Sequence, residues 1–223
     1  MQRNNSKEEL RSRIRSRRAA RAESMPDVAE AAWTAASTIQ SRPSPSRSAP
    51  RAEAMPAPDL SGSSMLAYAA LRGEPNLDSC IDRFLAAGGR VYLPVVTEVG
   101  RPLVFGEVRE SIRTLQPKGR WGIREPEPQL SAAELMSAEV GLGLVFVPAL
   151  GFGEGGARLG NGGGFYDRTF GPMGEVPLAD SAHQTAIFGV CFDEEIGLDG
   201  LHVEPWDLRI TRAVTEAGLH SFQ

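Results

Sequence analysis

Residues 144–170, LVFVPALGFGEGGARLGNGGGFYDRTF, decide the fold of this chain. The apolar run at residues 144–150 predicts a buried strand, since a short continuous apolar run is typical of a strand covered on both faces. Glycine then recurs at positions 151, 153, 155, 156, 160, 162, 163 and 164. A strand that opens into glycines and then into charged residues is typical of an α/β protein that binds a ligand at the carboxyl end of its sheet.

The densest glycines, at positions 160–164, predict a loop that binds an anion. Glycine permits positive φ and lets a ligand approach the backbone closely, and successive amides in such a loop can surround a negative charge. A flexible surface loop would also be rich in glycine. The flanking Arg158, Tyr166 and Asp167 favour a phosphate site instead.

Two common phosphate-binding motifs do not fit these glycines. No Gly-Lys-Ser/Thr follows them, which excludes a P-loop. They lie more than ten residues beyond the predicted strand, and no convincing acidic residue ends a following strand to hold a ribose. A dinucleotide site is therefore disfavoured.

Two aspartates near this loop are candidate magnesium ligands. Mg²⁺ in proteins often combines one or two carboxylates with phosphate oxygens, which Asp167 and Asp207 could supply. Each also has a purely structural interpretation, as a surface acid or a helix cap. The sequence offers no Ser/His/Asp or Cys/His set for nucleophilic catalysis, because the histidines at positions 183, 202 and 220 lack partners at a useful spacing.

Length and composition favour one globular domain spanning residues 1–223. No apolar run approaches the 18 residues or so of a membrane span, and no membrane partner is expected. The charged N-terminus lacks the apolar segment of a secretory signal, which favours the cytoplasm. Cys80 and Cys191 have no CxxC spacing and are expected to be buried thiols.

The charge of the chain is unevenly distributed. Residues 1–58 hold 11 Lys and Arg against 6 Asp and Glu, a balance of +5, and the remainder holds 13 against 22, or −9. The basic segment could meet nucleic acid, but the body is acidic and carries no nucleic-acid motif. We therefore expect no nucleic-acid partner and a local anion instead, most simply a nucleotide phosphate. A monomer or weak dimer is expected.

Two helices are predicted within residues 6–41. Ser6 and Glu9 fit a capping box, and Leu10 and Ile14 then mark an apolar stripe. Lys7 and Arg11 lie four apart and project side by side, and Arg11, Arg15 and Arg18 are expected on a face away from the apolar stripe. A solvated basic face is the structural alternative.

The second helix is predicted to begin near Pro26-Asp27, with Pro26 in its first turn. Its apolar stripe comprises Val28, Ala32, Ala35 and Ile39. Residues 42–58 carry five prolines with little to bury, so they are predicted to form a mobile segment.

From Met65 onward, apolar runs alternate with helical patterns. Strands are expected at residues 65–71, 91–96 (interrupted by Pro94), 103–105, 144–150 and 186–192, with an edge strand at 208–214. Helices are expected at residues 77–85 and 131–139. This order predicts a three-layer α/β/α fold with a mostly parallel sheet.

The glycine stretch resembles the signature of the 5-formyltetrahydrofolate cyclo-ligase (methenyltetrahydrofolate synthetase) family, Arg-Leu-Gly-x-Gly-x-Gly-Tyr-Tyr-Asp. Further segments in the same order resemble other family motifs. They are Lys7-x-x-Leu10-Arg11, Gly73-Glu74, Trp121-Gly122-Ile123-x-Glu125-Pro126, Val147-Pro148-x-x-x-Phe152 and Thr215-Glu216. The resemblance covers nearly the whole chain apart from residues 42–58.

The resemblance implies an ATP- and Mg²⁺-dependent conversion of 5-formyltetrahydrofolate to 5,10-methenyltetrahydrofolate, through phosphorylation of the formyl oxygen. It implies catalytic roles for Lys7 and Arg158 and a metal site at Asp167 and Asp207. The implied ATP-binding residues are Lys7, Arg11, Arg158, Leu159, Gly160, Asn161, Gly162, Gly163, Gly164, Phe165 and Tyr166. The implied folate-binding residues are Glu74, Trp121, Asn161, Gly162, Gly163, Gly164 and Phe165.

Three positions depart from the family pattern. Phe165 replaces the usual first Tyr, Gly153 stands where Asp is common, and Trp206 precedes Asp207 where His or Asn is more usual. None of these changes removes a principal charge, so an active enzyme is expected. The alternative is a non-catalytic regulatory homologue that binds nucleotide or folate.

Overall fold

The computed structural model describes residues 6–21, 26–40, 58–178 and 185–223. Its helices in chain order are α1 (Lys7–Ala20), α2 (Ala29–Gln40), α3 (Asp78–Ala86), α4 (Ala132–Leu135) and α5 (Phe165–Phe170). Its strands are β1 (Ser64–Leu66), β2 (Arg90–Val95), β3 (Val104–Val108), β4 (Pro117–Lys118), β5 (Ile123–Arg124), β6 (Leu142–Pro148), β7 (Gly151–Phe152), β8 (Arg158–Leu159), β9 (Ala186–Val190), β10 (Arg212–Thr215) and β11 (Gly218–Ser221).

Seven of these strands form the central sheet, in the order β11-β10-β9-β6-β1-β2-β3. The inner neighbours β10, β9, β6, β1 and β2 pair in parallel, while β11 and β3 pair antiparallel at the two edges. The segments that follow β1, β2 and β6 therefore emerge at the same edge of the sheet. This confirms the predicted α/β class with a mostly parallel sheet.

The sheet is covered on both faces because its central strand is apolar on both. Leu144 and Phe146 of β6 belong to a buried cluster with residues of α2 and α3. The alternate Val145 and Val147 belong to a second cluster with residues of α4 and α5. Side chains of a strand alternate between faces, so a continuous apolar run is what two helical layers require.

Helix α1 begins as predicted. Ser6 Oγ accepts from the Glu9 amide at 3.2 Å, and Glu9 Oε2 accepts from the Ser6 amide at 3.0 Å, which completes the capping box. Leu10 and Ile14 are buried against Leu150 and Leu159. The helix thus lies across the loop that follows β6.

Arg18 is not where the sequence prediction put it. It lies four residues after Ile14, so it continues the buried stripe and is only 5% exposed. Helical side chains four residues apart lie on one face. The spacing therefore places Arg18 on the face of Leu10 and Ile14, and not on the face of Arg11 and Arg15. A buried carboxylate, described below, compensates its charge.

Helix α2 begins at Ala29, three residues after Pro26, so Pro26 does not occupy the first turn. Asp27 instead accepts a hydrogen bond from the Ala29 amide at 2.9 Å. The apolar stripe is buried as predicted, at Val28, Ala32 and Ala35. Of the segment predicted to be mobile, residues 42–57 lie outside the described residues.

Several predicted boundaries were wrong. The strand predicted at residues 65–71 ends at Leu66, because the chain then turns away from the sheet, with the Tyr68 hydroxyl donating to the Pro75 carbonyl at 2.7 Å. Pro94 does not interrupt β2, since β1 ends opposite Tyr92 and no neighbouring strand there requires an amide from Pro94. The helix predicted at residues 131–139 is the single turn of α4.

The strand predicted at residues 208–214 is not an edge strand. β10 begins at Arg212 and pairs on one side with β9 and on the other with β11. β11 forms the edge after a turn at residues 216–217, and its first residue, Gly218, adopts φ 125°. Its short polar sequence, GLHS, gave no apolar signal.

Both cysteines are free and buried, as predicted. Burial raises the pKa of the Cys80 thiol to about 12. None of the described helices is long and apolar enough to cross a membrane.

Gly189→Ala is expected to destabilise the fold by about 1–3 kcal/mol, because overpacking a filled core forces its neighbours to move. A Cβ at Gly189 in β9 would lie 2.0 Å from Cζ of the buried Phe152. The measurement is the urea midpoint of unfolding. In the Phe152→Leu background the same substitution should cost less, since the obstructing ring is smaller. An unchanged midpoint for Gly189→Ala alone would contradict this packing.

Candidate functional site

A cleft of about 620 Å³ opens at the edge of the sheet where the parallel strands end. Its walls come from the cleft-facing side of α1, the segments after β1 and β2, the β4–β5 hairpin and the glycine loop. Most of the residues singled out from the sequence line it: Lys7, Arg11, Glu74, Trp121, Arg158, Gly160, Asn161, Gly162, Gly163, Gly164, Phe165, Tyr166, Asp167 and Asp207.

A buried ion pair lies in the wall of the cleft. Arg158 is 8% exposed, and its Nη2 donates to Asp167 Oδ1 at 2.9 Å. Its Nη1 donates to the carbonyl of Pro148, at the end of β6, at 3.2 Å. Asp167 Oδ1 also accepts from the Leu208 amide at 3.1 Å. Burial by itself would raise the pKa of Asp167, but the Arg158 charge and these hydrogen bonds outweigh it and hold that pKa below its usual value.

Helix α1 adds cations to the same cleft. Lys7 Nζ contacts Asp207 Oδ2 at 2.5 Å. Arg11 Nε donates to the Gly160 carbonyl at 3.0 Å, and Arg15 Nη2 donates to the Asn161 carbonyl at 2.7 Å. Since these carbonyls belong to the glycine loop, the helix and the loop are joined directly.

The glycine loop leaves its amides available to a ligand. Within the described part of the chain, the amides of residues 161–164 donate to no other residue. Gly162 and Gly164 adopt φ 96° and 64°, which favours glycine. A Cβ at Gly164 would also lie 2.6 Å from Arg168 Nη1. The loop therefore has the backbone of an anion site without side chains that would fill it.

A carboxylate and aromatic rings also line the cleft. Glu74 Oε1 accepts from Asn161 Nδ2 at 2.8 Å, and Oε2 accepts from the Leu71 amide at 3.0 Å. The rings of Trp121 and Phe165 meet edge to face, with centroids 5.8 Å apart. These side chains could accept N–H donors and stack on a flat heterocycle.

Three polar atoms at the cleft are buried and have no hydrogen-bond partner among the described residues. They are Arg158 Nε, the Tyr166 hydroxyl and Arg168 Nε. Burial raises the pKa of Tyr166, so its hydroxyl stays protonated and can donate. Buried polar groups are normally paired, so three unpaired donors beside one cleft fit a site that binds an anion.

The sequence predictions for this site differ from the structure at a few positions. Leu159 does not line the cleft, because its side chain is fully buried under α1 with Leu10 and Ile14. Arg15 and Arg168 line the cleft but were not assigned to the site. The position of Arg15, four residues after Arg11, was an available signal.

The two aspartates fit a magnesium site shared with phosphates. Asp167 and Asp207 both line the cleft, and each has one carboxylate oxygen engaged by a cation. The described residues contain no cluster of three or more His, Cys, Asp or Glu side chains that could hold a metal alone. Mg²⁺ commonly takes one or two carboxylates and completes its shell with phosphate and water.

Asp167→Asn is expected to remove stability that depends on pH. The folded pKa of Asp167 lies below its ordinary value of 3.8, so its stabilisation is fully present above that pH and is lost as the pH falls through the folded pKa. The unfolding free energy of the wild type should therefore exceed that of the variant by a constant amount near neutrality. The difference should shrink below about pH 4, as followed by urea unfolding; a difference that grows towards acid would contradict the pair.

Comparisons with known sequences identify the family. A profile described as the 5-formyltetrahydrofolate cyclo-ligase family matches residues 3–216. The 5-formyltetrahydrofolate cyclo-ligase of Mycolicibacterium smegmatis is 34% identical over 161 residues, which is 70% of this chain and 75% of that protein. The enzyme of the same name from Escherichia coli K12 is 30% identical over 145 residues, 64% of this chain and 72% of that protein.

Solved structures share the fold. The 5,10-methenyltetrahydrofolate synthetase of Aquifex aeolicus matches with a TM-score of 0.56 at 19% identity, covering 97% of this chain and 93% of that one. The synthetase of Mycoplasma pneumoniae matches with a TM-score of 0.57 at 15% identity, covering 95% and 99%. With the sequence matches and the cleft described above, this chain belongs to the 5-formyltetrahydrofolate cyclo-ligase family.

Proposed function

We propose that this chain converts 5-formyltetrahydrofolate to 5,10-methenyltetrahydrofolate and consumes ATP, releasing ADP and phosphate. The observation that carries the proposal is that one cleft is lined both by cations with free amides, here called the cationic half, and by a carboxylate with aromatic rings, here called the acidic and aromatic half. A reaction that transfers a phosphoryl group from a triphosphate to a folate needs binding surfaces for both molecules in one cleft. Family membership gives the same activity by name.

The cationic half is assigned to ATP. Lys7, Arg11 and Arg158 line it together with the glycine-loop amides. Fixed cations and free amides in a partly buried site stabilise phosphate charge more strongly than the same groups in water. Tyr166, whose buried hydroxyl is free to donate, belongs to the same half.

The acidic and aromatic half is assigned to the folate. Glu74 is held by Asn161 and the Leu71 amide, so its carboxylate is oriented before a ligand arrives and can accept pterin N–H bonds. Trp121 and Phe165 offer ring surface for stacking. Phe165 keeps the area of the tyrosine common in the family and lacks its hydroxyl.

The chemistry follows from this juxtaposition. The formyl oxygen attacks the γ-phosphorus, ADP leaves, and the formyl group becomes an imidoyl phosphate. N10 then attacks the formyl carbon and loses its proton, and the carbon–oxygen bond breaks to release phosphate. Phosphoryl transfer needs positioning and charge neutralisation more than a protein nucleophile. Arg158 and Lys7 are the residues assigned to neutralise charge on the transferred phosphoryl group.

Magnesium fits this scheme through Asp167 and Asp207, which would hold it beside the ATP phosphates. When bound, Mg²⁺ supplies neutralisation of phosphate charge. The regulatory alternative keeps the ligand site without turnover.

The test of the proposal is direct. Purified protein is mixed with 5-formyltetrahydrofolate and Mg-ATP, and the methenyl product is followed by its absorbance. We expect one ADP and one phosphate for each methenyl product. Binding of both ligands without product would establish the regulatory alternative.

Arg158→Met should lower kcat by about 10²–10³-fold, the typical loss when a fixed group that stabilises transition-state charge is removed. Arg158→Lys keeps the charge but cannot contact both Asp167 and Pro148, so its kcat should fall less than that of Arg158→Met. Arg101→Met is the control, because Arg101 is an exposed arginine that pairs, among the described residues, only with Glu98. Full activity in Arg158→Met would disprove the phosphate assignment.

Glu74→Gln should raise the KM for 5-formyltetrahydrofolate by roughly ten- to a hundredfold, the worth of a charged hydrogen bond. Its effect on the KM for ATP should be small, since Glu74 lies in the folate half. Steady-state kinetics with each substrate varied in turn measures both constants. Equal increases in the two constants would contradict the division of the cleft.

A further inference from the structure

Arg18 and Glu195 form a buried ion pair that the proposed ligand contacts do not use. Arg18 Nε donates to Glu195 Oε1 and Nη2 donates to Oε2, both at 2.7 Å. Arg18 is 5% exposed and Glu195 is 1% exposed. A two-point contact between a guanidinium and a carboxylate fixes orientation as well as distance.

Both partners are also tied to the backbone. Arg18 Nη2 donates to the Ala149 carbonyl at 2.8 Å, and Glu195 Oε2 accepts from the Phe192 amide at 2.9 Å. The guanidinium lies over the Phe192 ring, 5.3 Å from its centroid. The pair therefore fastens α1 to the segments that follow β6 and β9.

This attachment sets the rotation of α1. Leu10, Ile14 and Arg18 are four residues apart and form the buried stripe of the helix. The side chains that face the cleft have the same spacing: Lys7, Arg11 and Arg15. Because both rows belong to one rigid helix, a rotation at Arg18 moves the cations as well.

Arg18 also lies beside the supports of both halves of the cleft. Its Ala149 carbonyl follows directly after the Pro148 carbonyl that accepts from Arg158. On the other side, a Cβ added at Gly73 would lie 3.5 Å from Arg18 Cβ, and Gly73 adopts φ 86° in the turn before Glu74. Arg18 therefore touches the frame of the phosphate site through its guanidinium, and its Cβ lies beside the turn that carries Glu74.

We propose that Arg18, held by Glu195, is a positioning residue for the reaction: it sets where the cations of α1 meet the ATP phosphates. The assignment rests on the proposed function. Neither residue reaches the ligands in this account. Substitution of the Arg18–Glu195 pair should therefore lower nucleotide affinity and turnover, and not only the stability of the fold.

The positioning role of Arg18 can be tested apart from its contribution to stability, because of the energetics of buried ion pairs. Removal of one partner leaves an unpaired buried charge and is destabilising, whereas replacement of both by apolar side chains is often neutral. Arg18→Met combined with Glu195→Leu should therefore fold, while it loses the directional contact that fixes α1.

The test compares the double variant with the wild type in thermal unfolding, in steady-state kinetics and in calorimetric titration with a non-hydrolysable ATP analogue. We expect a melting temperature near that of the wild type, with the KM for ATP and the Kd of the analogue raised by roughly 10- to 100-fold, as for misplaced binding groups. Arg18→Lys keeps the charge but not the two-point contact of the guanidinium, and it should show a smaller rise in both the KM for ATP and the Kd of the analogue. Arg21→Met is the matched control, because Arg21 ends the same helix in an exposed pair with Glu194, and its constants should not change.

A folded double variant with wild-type constants would overturn the assignment. If the double variant does not fold, the test uses Arg18→Lys. A wild-type KM for ATP and a wild-type Kd of the analogue in Arg18→Lys would equally overturn the assignment. A wild-type protein that binds the analogue without turnover would refute the proposed function, while the positioning role would still be judged from the Kd.

Discussion

The contact between α1 and the glycine loop makes a site from segments far apart in the chain. Arg11 reaches the Gly160 carbonyl across 149 positions, and Lys7 reaches Asp207 across 200. The arginines of α1 bind carbonyl groups of the loop, so the loop amides stay free for a ligand. Without α1, the cations among the described residues that line the cleft would be reduced to Arg158 and Arg168, and the cleft would lack a wall.

Burial makes the charges of this site effective. Arg158 is almost fully covered, and its pairing with Asp167 offsets the cost of removing its charge from water. Among the described residues, Arg158 Nε and the neighbouring Tyr166 hydroxyl have no hydrogen-bond partner. A buried polar group without a partner costs free energy, and a bound anion that accepts from these donors would offset that cost.

The sequence predicted those parts of the fold that local chemistry determines. The capping box at Ser6, the apolar stripe of α2 and the strand before the glycines follow from spacing alone. The end of β1 at Leu66 and the edge strand β11 depend on tertiary pairing, which short or polar segments do not signal. Arg18 was misplaced because arginine is rarely buried, although its spacing from Ile14 put it in the buried stripe.

The site was predicted less completely than the fold. Glycines, Arg158 and the two aspartates were found because their types and order are distinctive. The Pro148 carbonyl, the buried Glu195 and the covered position of Leu159 could not be found, since each depends on which backbone groups the folded chain brings together. Arg15 was missed although it shares a helix face with Lys7 and Arg11.

The central claim is that one cleft holds a nucleotide and a folate together. Calorimetric titration of the wild type with a non-hydrolysable ATP analogue, before and after saturation with 5-formyltetrahydrofolate, tests it most directly. The account predicts one molecule of each per chain and undiminished binding of the analogue in the presence of the folate. Mutually exclusive binding would contradict it.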